Sequence, residues 1–345
     1  MVYRKADRFL PFYRRVSASR LTGALMHRFW DRGSQKSTHR PVFLSGSPRS
    51  GSSWSLETLE AILPARRHWE PVKGFQHEIG YRNGPFGGIR PWIDGEDDLP
   101  ELQWRLRESL MGERPPAQVS RMYNPKEGVS GTLRRVLSPG VTILKFTAAQ
   151  RLLPWIVGNI DCQGAMIVRN PLSIVASAKK MGSRVEGWGG LRSEERNDPA
   201  LLQRFPAAAA LEAEDLTNIR YLAIRTCLDL MVPLQDENCL KSLVVVPYES
   251  LTIEPSLFLA IASELGLGEL LETDTVPVRP SATTVGDSNV LKKGNPNLSW
   301  QHRLEPWEID QVQRVMDAFG INFYGESPEC DLSRLKATGV QRLLG

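Results

Sequence analysis

Residues 41–54 read PVFLSGSPRSGSSW, and this stretch decides the fold. A short apolar run at 41–45 predicts a buried β-strand, and the spacing of apolar residues over 52–62 predicts a helix soon after it. Between them, Gly46 and Gly51 have the G-x-x-x-x-G spacing of a phosphate-binding loop. Glycines there let the backbone curl, so that its N–H groups and the helix N-terminus face an anion. The stretch therefore predicts a strand–loop–helix unit with an anion site.

The loop departs from that of ATPases in the position of its cation. Ser52 stands where such a loop has lysine, and Ser53 stands at its Ser/Thr position. Arg49 supplies a cation earlier, and a guanidinium binds phosphate or sulfate oxygens through charge-assisted hydrogen bonds. No acidic residue ends the strand at 164–168 to hold magnesium, so nucleotide hydrolysis would lack two of its usual charge stabilisers. A P-loop kinase or hydrolase is therefore the weaker interpretation. A plain glycine–serine turn would explain any one residue of the loop but not the whole.

Strands alternate with helices along the rest of the chain. The pattern predicts further strands at 66–71, 141–146, 164–168 and 243–247, and one long helix over 207–235. This alternation predicts an α/β fold, with a single doubly wound domain whose mainly parallel sheet of about five strands is flanked by helices. Right-handed crossovers would place the loops after the strands on one ligand-binding edge.

A second basic segment follows the strand at 164–168. Arg169-Asn170-Pro171 would leave the carboxyl end of that strand, and Ser177 lies about two helical turns further on. Alone, an arginine after a strand is usually a surface or ion-pairing residue. Together with the loop at 46–53, it predicts a second contact to the same anionic ligand.

These two segments together resemble the superfamily of sulfotransferases that use 3′-phosphoadenosine 5′-phosphosulfate (PAPS), and in motif style they are closest to the carbohydrate sulfotransferases. Residues 48–54 are similar to its 5′-phosphosulfate loop, and residues 168–171 with Ser177 are similar to its 3′-phosphate motif. Weaker matches in the same order are Glu70-Pro71, Tyr248-Glu249-Ser250-Leu251, and Lys292-Lys293-Gly294 followed by Trp300. The resemblance runs from about residue 41 to residue 325, whereas 72–140 and 183–206 match no motif of the family.

The resemblance implies transfer of a sulfuryl group from PAPS to an acceptor hydroxyl, with adenosine 3′,5′-bisphosphate as product and no metal ion. Arg49 would bind the bridging and sulfuryl oxygens, and Glu70 would be the general base. The competing bases are His68, His77 and Glu78. The donor-binding residues implied are Ser47, Pro48, Arg49, Ser50, Gly51, Ser52, Ser53, Trp54, Arg169, Ser177, Tyr248, Lys292, Lys293 and Gly294. Trp54 could instead pack inside the core, which is the position we favour.

The acceptor is left open by the residues. The Glu70-Pro71 match favours a sugar hydroxyl on a glycan, glycolipid or glycosylated metabolite. An alcohol or phenol on a lipid or secondary metabolite is the alternative.

Charge divides the chain into parts. Residues 1–40 hold ten Lys/Arg and two acidic residues, so they carry +8, whereas the whole chain carries +4 and residues 41–345 therefore carry −4. We expect a basic N-terminal arm (1–40), a sulfotransferase domain (41–325) and a C-terminal tail (326–345). The arm could lie on an anionic membrane as an amphipathic helix, or pack on the domain with its arginines solvated. A non-catalytic module that binds lipid or nucleic acid through this arm is the third interpretation, but the acidic body offers no wide basic face and no nucleic-acid partner is expected.

Two further observations concern location. The chain has no apolar window of about 18 residues, so no transmembrane helix is predicted. Its four cysteines are widely spaced without a C-x-x-C pair, which favours reduced thiols over a zinc site or a disulfide framework. We therefore expect a cytoplasmic protein, in peripheral contact with a membrane if the arm binds lipid.

Overall fold

A computed structural model of the protein describes residues 39–70, 100–110, 137, 140–147, 149–180, 199–212, 217–277, 279, 281 and 296–345. The strands in these residues are β1 (Val42–Ser45), β2 (Arg66–Trp69), β3 (Thr142–Phe146), β4 (Gln163–Val168), β5 (Val244–Pro247) and β6 (Arg342–Leu343). The helices are α1 (Ser52–Ile62), α2 (Pro100–Leu110), α3 (Leu153–Asn159), α4 (Pro171–Lys179), α5 (Pro199–Arg204), α6 (Pro206–Glu212), α7 (Asn218–Leu234), α8 (Glu237–Ser242), α9 (Tyr248–Ile253), α10 (Leu257–Glu264), α11 (Pro306–Ala318) and α12 (Leu332–Ala337). Short 3₁₀ helices span Gln150–Leu152, Gly268–Leu270 and Pro296–His302.

The described strands form one parallel sheet in the order β2-β3-β1-β4-β5-β6. β1 lies in the middle, where its last residue, Ser45, is in register with Phe146 of β3 and with Met166 of β4. The predicted doubly wound α/β fold is confirmed. The sheet has six strands rather than about five, because the short strand β6 pairs with β5 near the end of the chain.

Side chains of β1 alternate between two hydrophobic cores, one on each face of the sheet. Phe43 belongs to the core formed with helices α3, α4, α7 and α11. Val42 and Leu44 belong to the core formed with α1 and α10. Because both faces are covered by helices, the central strands are continuous apolar runs rather than alternating ones, as is usual for parallel sheets.

The single helix predicted over 207–235 is wrong, because the structure has two helices there, α6 and α7. Thr217 caps α7: its backbone is extended, and its hydroxyl oxygen accepts a hydrogen bond from the Arg220 N–H at 3.2 Å. A capped start of this kind begins a new helix. The apolar periodicity over 207–235 is therefore divided between two elements, and residues 213–216 between them lie outside the described residues.

Residues 326–345, which we expected as a tail, contribute α12 and the edge strand β6. The Gln341 N–H donates to the Leu240 carbonyl at 3.0 Å, and the Leu344 N–H donates to the Val245 carbonyl at 3.1 Å. This segment therefore packs as part of the sheet. The basic arm lies outside the described residues up to residue 38. Among the helices that are described, none combines the length and the apolar character needed to cross a membrane.

Candidate active site

The candidate site lies at the carboxyl ends of β1 and β4, the two neighbouring strands at which the winding of the sheet reverses. After β1 the chain enters α1 on one face, and after β4 it enters α4 on the other face. The crevice between two such strands is the usual ligand site of an open parallel sheet. Both predicted motifs leave from these strands: the loop at 46–51 follows β1, and Arg169-Asn170 follows β4.

The loop after β1 turns tightly through two left-handed residues. Arg49 has a φ of 77° and Gly51 a φ of 94°, and the Ser50 N–H donates to the Ser47 carbonyl at 2.9 Å. Left-handed backbone in a non-glycine residue stores strain of about 1–3 kcal/mol and occurs most often at functional sites. Arg49, the predicted anion-binding cation, is the residue held in this conformation.

The two glycines of the loop are required by close packing. A Cβ on Gly46 would lie 2.5 Å from the Ser50 Oγ and 2.9 Å from the Ile167 carbonyl oxygen, and a Cβ on Gly51 would lie 2.2 Å from Cδ2 of Tyr248. The Ser50 Oγ is buried inside this curl without a hydrogen-bond partner among the described residues. The loop is therefore wound tightly between β4 and the Tyr248 ring.

The three predicted anion-binding side chains meet at Arg49. The Arg49 Nε donates to the Ser177 Oγ of α4 at 2.9 Å, and the Arg169 Nη1 donates to the Arg49 carbonyl oxygen at 2.9 Å. These contacts join positions that are 120 or more residues apart in the chain. The structure thus brings the two sequence motifs into one cluster, as the pair of segments predicted.

Two other arginines act electrostatically on Arg49. Burial, followed by the positive charges of Arg169 and Arg303, lowers the pKa of the Arg49 guanidinium below its usual value, and Tyr248 opposes this. Within the residues that the structure describes, no carboxylate forms an ion pair with Arg49. Buried charges are normally paired, so Arg49 is suited to an anionic ligand that would supply a negative charge.

The Tyr248 ring packs against both Arg169 and Trp54. The Arg169 guanidinium lies over its ring, 4.2 Å from the centroid, and Trp54 meets the same ring edge-on at 5.7 Å between centroids. Trp54 also packs edge-on against Phe258 of the core at 5.2 Å. Trp54 therefore takes the core position that the sequence allowed. Tyr248 orients Arg169 through a cation–π contact.

The carboxylate beside Tyr248 fixes the start of α4. The Glu249 Oε1 accepts from the Asn170 N–H at 3.1 Å, and its Oε2 accepts from the Tyr324 hydroxyl at 3.0 Å. Asn170 in turn caps α4 by accepting from the Leu172 N–H at 2.9 Å. Burial raises the pKa of the Glu249 carboxyl, while Arg169 and these hydrogen bonds oppose the change. The segment after α11 is thereby joined to the start of α4 through Glu249.

Glu70, the predicted general base, ends β2 with a φ of 50° and is buried. Its Oε2 accepts from the Thr147 N–H at 3.0 Å, its Oε1 accepts from the Thr147 hydroxyl, and the Lys145 Nζ lies 3.6 Å from Oε1. The strand that carries Lys145, β3, lies between β2 and β1 in the sheet. Two strand spacings separate β2 from β1, about 10 Å.

The other predicted site residues divide into three groups. Pro48, Ser47, Ser52 and Ser53 lie in the loop and the first turn of α1, with Ser47 and Ser52 buried. Lys292, Lys293, Gly294, His77 and Glu78 lie outside the described residues. His68 is buried in β2, where burial and the charge of Arg66 lower the pKa of its imidazole to about 3. A neutral, enclosed His68 is a poor candidate for the base.

Several residues at the site were not identified from the sequence. They are Lys145, Thr147 and Tyr324. Lys145 has a local signal, since it is a lone charge in an apolar strand, and its side chain is 2% exposed. Tyr324 has none, because its contact with Glu249 joins positions that are 75 residues apart in the chain. In the described part of the chain, no group of three or more His, Cys, Asp or Glu side chains could hold a metal ion.

Comparisons with known proteins give structural neighbours but no family assignment. No family model matches the chain, and no curated protein matches it. Similar solved structures include the sulfotransferase domain of the Synechococcus PCC 7002 olefin synthase, with 20% identity, 83% of this chain and 98% of that chain covered, and a TM-score of 0.35. The sulfotransferase domain from the curacin biosynthetic pathway has 14% identity, coverages of 82% and 98%, and a TM-score of 0.38. A sulfotransferase from Alicyclobacillus acidocaldarius has 10% identity, coverages of 81% and 96%, and a TM-score of 0.35. Similarity at this level does not by itself assign a function.

Proposed function

We propose that this protein is a sulfotransferase that moves the sulfuryl group of PAPS to an acceptor hydroxyl. The observation that carries the proposal is the meeting of Arg49, Arg169 and Ser177 at the carboxyl ends of β1 and β4, with no carboxylate paired to Arg49 among the described residues. These side chains form a cluster beside a phosphate-type loop whose lysine position holds Ser52. Such a cluster suits a donor with several phosphate and sulfate groups.

Arg49 would act on the charge that develops during transfer. In an in-line reaction the acceptor oxygen bonds to sulfur while the bond from sulfur to the bridging oxygen breaks. The electron pair leaves with the 5′-phosphate of adenosine 3′,5′-bisphosphate. A guanidinium held in place by Ser177 can stabilise the bridging and sulfuryl oxygens at that moment, without a large reorganisation. Backbone N–H groups of 50–53 and the Ser52 and Ser53 hydroxyls would hold the 5′-phosphate.

Arg169 and Ser177 would bind the 3′-phosphate, which distinguishes this donor from ATP. The guanidinium of Arg169 is oriented by the Tyr248 ring, and the Arg49 carbonyl holds one of its nitrogens. Ser177 now accepts from Arg49 and has a hydroxyl proton to donate. Two donors from the β4 side of the crevice would thus face the 3′-phosphate, while the β1 loop holds the other end of the donor.

Glu70 remains our proposed general base, assisted by its two neighbours. The acceptor proton would pass to the Glu70 carboxylate, whose Oε1 accepts from the Thr147 hydroxyl and lies 3.6 Å from the Lys145 Nζ. Lys145 would then lie between the base and the sulfuryl group, where a cation favours the transfer of an anionic group. No step in this scheme uses a metal ion.

The contacts of Glu70 bear on the class of acceptor. The sugar acceptor was predicted from the Glu70-Pro71 match, and the contacts of Glu70 with Lys145 and Thr147 account for that glutamate without a sugar. We therefore place the alcohol or phenol of a lipid or secondary metabolite first. The similar domains from the olefin synthase and the curacin pathway accord with that choice.

The test is calorimetric titration of the protein with adenosine 3′,5′-bisphosphate, ADP and ATP–magnesium. We expect the bisphosphate to bind at least tenfold more tightly than ADP, since hydrogen bonds to a charged group contribute about 1.5–3 kcal/mol each. Arg169→Ala should remove most of this preference and leave ADP binding nearly unchanged. Equal losses for both nucleotides would exclude a 3′-phosphate site at Arg169, and tighter binding of ATP–magnesium would favour the kinase interpretation.

A further inference from the structure

The turns that carry Arg169 and Tyr248 leave neighbouring strands at the same level. Val168, the last residue of β4, is in register with Pro247, the last residue of β5. Arg169 and Tyr248 come next along their chains, and the guanidinium of the first lies over the ring of the second, 4.2 Å from the centroid. Both residues are buried. Their stacking therefore depends on how the two turns are held relative to each other.

Glu249 joins these two turns. It follows Tyr248 in α9 and is buried, and its Oε1 accepts from the Asn170 N–H at 3.1 Å. Asn170 is the residue after Arg169, so one carboxylate oxygen connects the neighbour of the ring to the neighbour of the guanidinium. Asn170 is fully buried, and its Oδ1 accepts from the Leu172 N–H at 2.9 Å to cap α4. A shift of Glu249 would therefore move the turn from which the Arg169 side chain projects.

The segment after α11 holds the other carboxylate oxygen. The Tyr324 hydroxyl donates to the Glu249 Oε2 at 3.0 Å, and the Asn170 Nδ2 donates to the Ser327 carbonyl at 3.4 Å. Tyr324 is buried, and burial followed by the charge of Glu249 raises the pKa of its hydroxyl, so it stays a neutral donor. Because each oxygen of the carboxylate has its own donor, the orientation of the group is fixed.

The charge of Arg169 reaches the same carboxylate. Burial raises the pKa of the Glu249 carboxyl, and the positive charge of Arg169 is the largest of the effects that oppose this rise. A buried carboxylate is usually a structural group that binds whatever donors surround it. Glu249 differs because its donors hold the turn of the arginine that also acts on its charge.

From these contacts we propose that Glu249 and Tyr324 form a positioning pair for Arg169, and that the pair thereby sets the preference for a 3′-phosphorylated nucleotide. The role of Arg169 at the 3′-phosphate rests on the proposed function. Both members of the pair are enclosed by the protein and act through Asn170. The segment after α11 would thus contribute to recognition of the donor through Tyr324, without binding the donor with that side chain.

The experiment compares three variants of the pair with a matched control. Glu249→Ala removes both acceptors, Glu249→Gln keeps an acceptor for the Asn170 N–H, and Tyr324→Phe removes only the hydroxyl donor. The control is Asp236→Ala. Asp236 caps α8 by accepting from the Cys239 N–H at 2.8 Å, and α8 precedes β5, whereas Tyr248 follows it. Loss of this cap should lower stability without a change at the site.

Each protein is titrated calorimetrically with adenosine 3′,5′-bisphosphate and with ADP. The melting temperature is measured without ligand. Hydrogen exchange of the backbone amides at 169–172 is followed by mass spectrometry, also without ligand. The ratio of the two nucleotide affinities is the decisive quantity, because a general loss of structure weakens both nucleotides alike.

We expect Glu249→Ala to lower the preference for the bisphosphate over ADP by about fivefold or more, because a misplaced guanidinium loses hydrogen bonds to the phosphate. Tyr324→Phe should lower the preference less, by about twofold to fivefold, since one of the two donors remains. Glu249→Gln should keep most of the preference, because its amide oxygen can replace the carboxylate oxygen. Asp236→Ala should lower the melting temperature and leave the preference unchanged.

Two results would overturn the inference. The first is a folded Glu249→Ala protein with the preference of the wild type. The second is an equal loss of affinity for both nucleotides, which a merely structural role predicts. If Glu249→Ala does not fold, Tyr324→Phe decides the matter, and an unchanged preference in that variant would refute the pair.

Hydrogen exchange separates this inference from the proposed donor. If the wild type binds both nucleotides equally, the 3′-phosphate site is wrong, and the amides at 169–172 then test the pair by themselves. Faster exchange in Glu249→Ala and Tyr324→Phe, but not in Asp236→Ala, would support the positioning of the Arg169 turn. Exchange at the wild-type rate in every variant would refute it.

Discussion

Gly51→Ala tests whether the loop packs so closely on the Tyr248 ring that a methyl group at position 51 displaces the ring. The added Cβ would lie 2.2 Å from Cδ2 and 2.3 Å from Cε2 of Tyr248, so the ring must move. The φ of 94° at this position also strains any residue that has a Cβ. We assign about 1–2 kcal/mol to the left-handed backbone and about 1–3 kcal/mol to the forced repacking. The expected loss of stability is therefore about 2–5 kcal/mol.

The displaced ring has a second consequence. Arg169 stacks on it at 4.2 Å, so a shift of Tyr248 should misplace the guanidinium and weaken bisphosphate binding as well as stability. Urea denaturation measures the first effect and calorimetry measures the second. The companion variant is Tyr248→Ala, which removes the atoms that the new Cβ would meet. In the Tyr248→Ala background, Gly51→Ala should cost only the backbone strain of about 1–2 kcal/mol.

Two results would refute this reasoning. A Gly51→Ala protein within about 0.5 kcal/mol of the wild type would mean that the loop is not wound as tightly as described, since surface substitutions without strain fall in that range. An equal cost in the wild-type and Tyr248→Ala backgrounds would mean that the ring is not the obstacle.

Three other predictions concern the site and its supporting strand. Arg49→Ala should abolish sulfuryl transfer, measured with radiolabelled donor. Its melting temperature should stay at or above that of the wild type, because a repulsive charge is removed. Near-normal turnover would exclude Arg49 from the chemistry. Glu70→Gln should lower turnover by about 10²–10⁴-fold with bisphosphate affinity preserved, as expected for loss of a general base. Thr147→Val keeps the carboxylate and should lower turnover far less. Similar losses of turnover in both variants would assign Glu70 a structural role. For His68, the imidazole pKa is 6.5 when unfolded and about 3 when folded, so the folded protein holds the neutral form and loses stability as pH falls below 6.5. Between pH 7.5 and pH 5 the wild type should therefore lose about 2 kcal/mol of unfolding free energy relative to the His68→Gln variant. Urea titrations at both pH values measure this difference. A difference that is the same at both pH values would contradict the prediction.

Local patterns predicted the central elements well. The structure places β1 at Val42–Ser45 and α1 at Ser52–Ile62, close to the predicted 41–45 and 52–62. Apolar runs and glycine spacing are patterns among neighbouring residues, so they are sufficient to predict a single strand, loop or helix. The long helix over 207–235 failed because apolar periodicity continued across a capped helix start at Thr217. The edge strand β6 was missed because two residues carry too little pattern to identify a strand.

What the sequence determined by itself was the chemistry available at the end of each strand: glycines and serines with Arg49 after β1, and Arg169 with Ser177 after β4. The tertiary structure alone decided which of these side chains meet. The adjacency of β1 and β4 sets the Arg49–Ser177 contact, and the register of β2 on β3 pairs Glu70 with Lys145. Tyr324 meets Glu249 only because the segment after α11 packs beside the start of α4. Contacts between residues far apart in the chain depend on how strands pair and helices pack, and local sequence patterns carry no record of either.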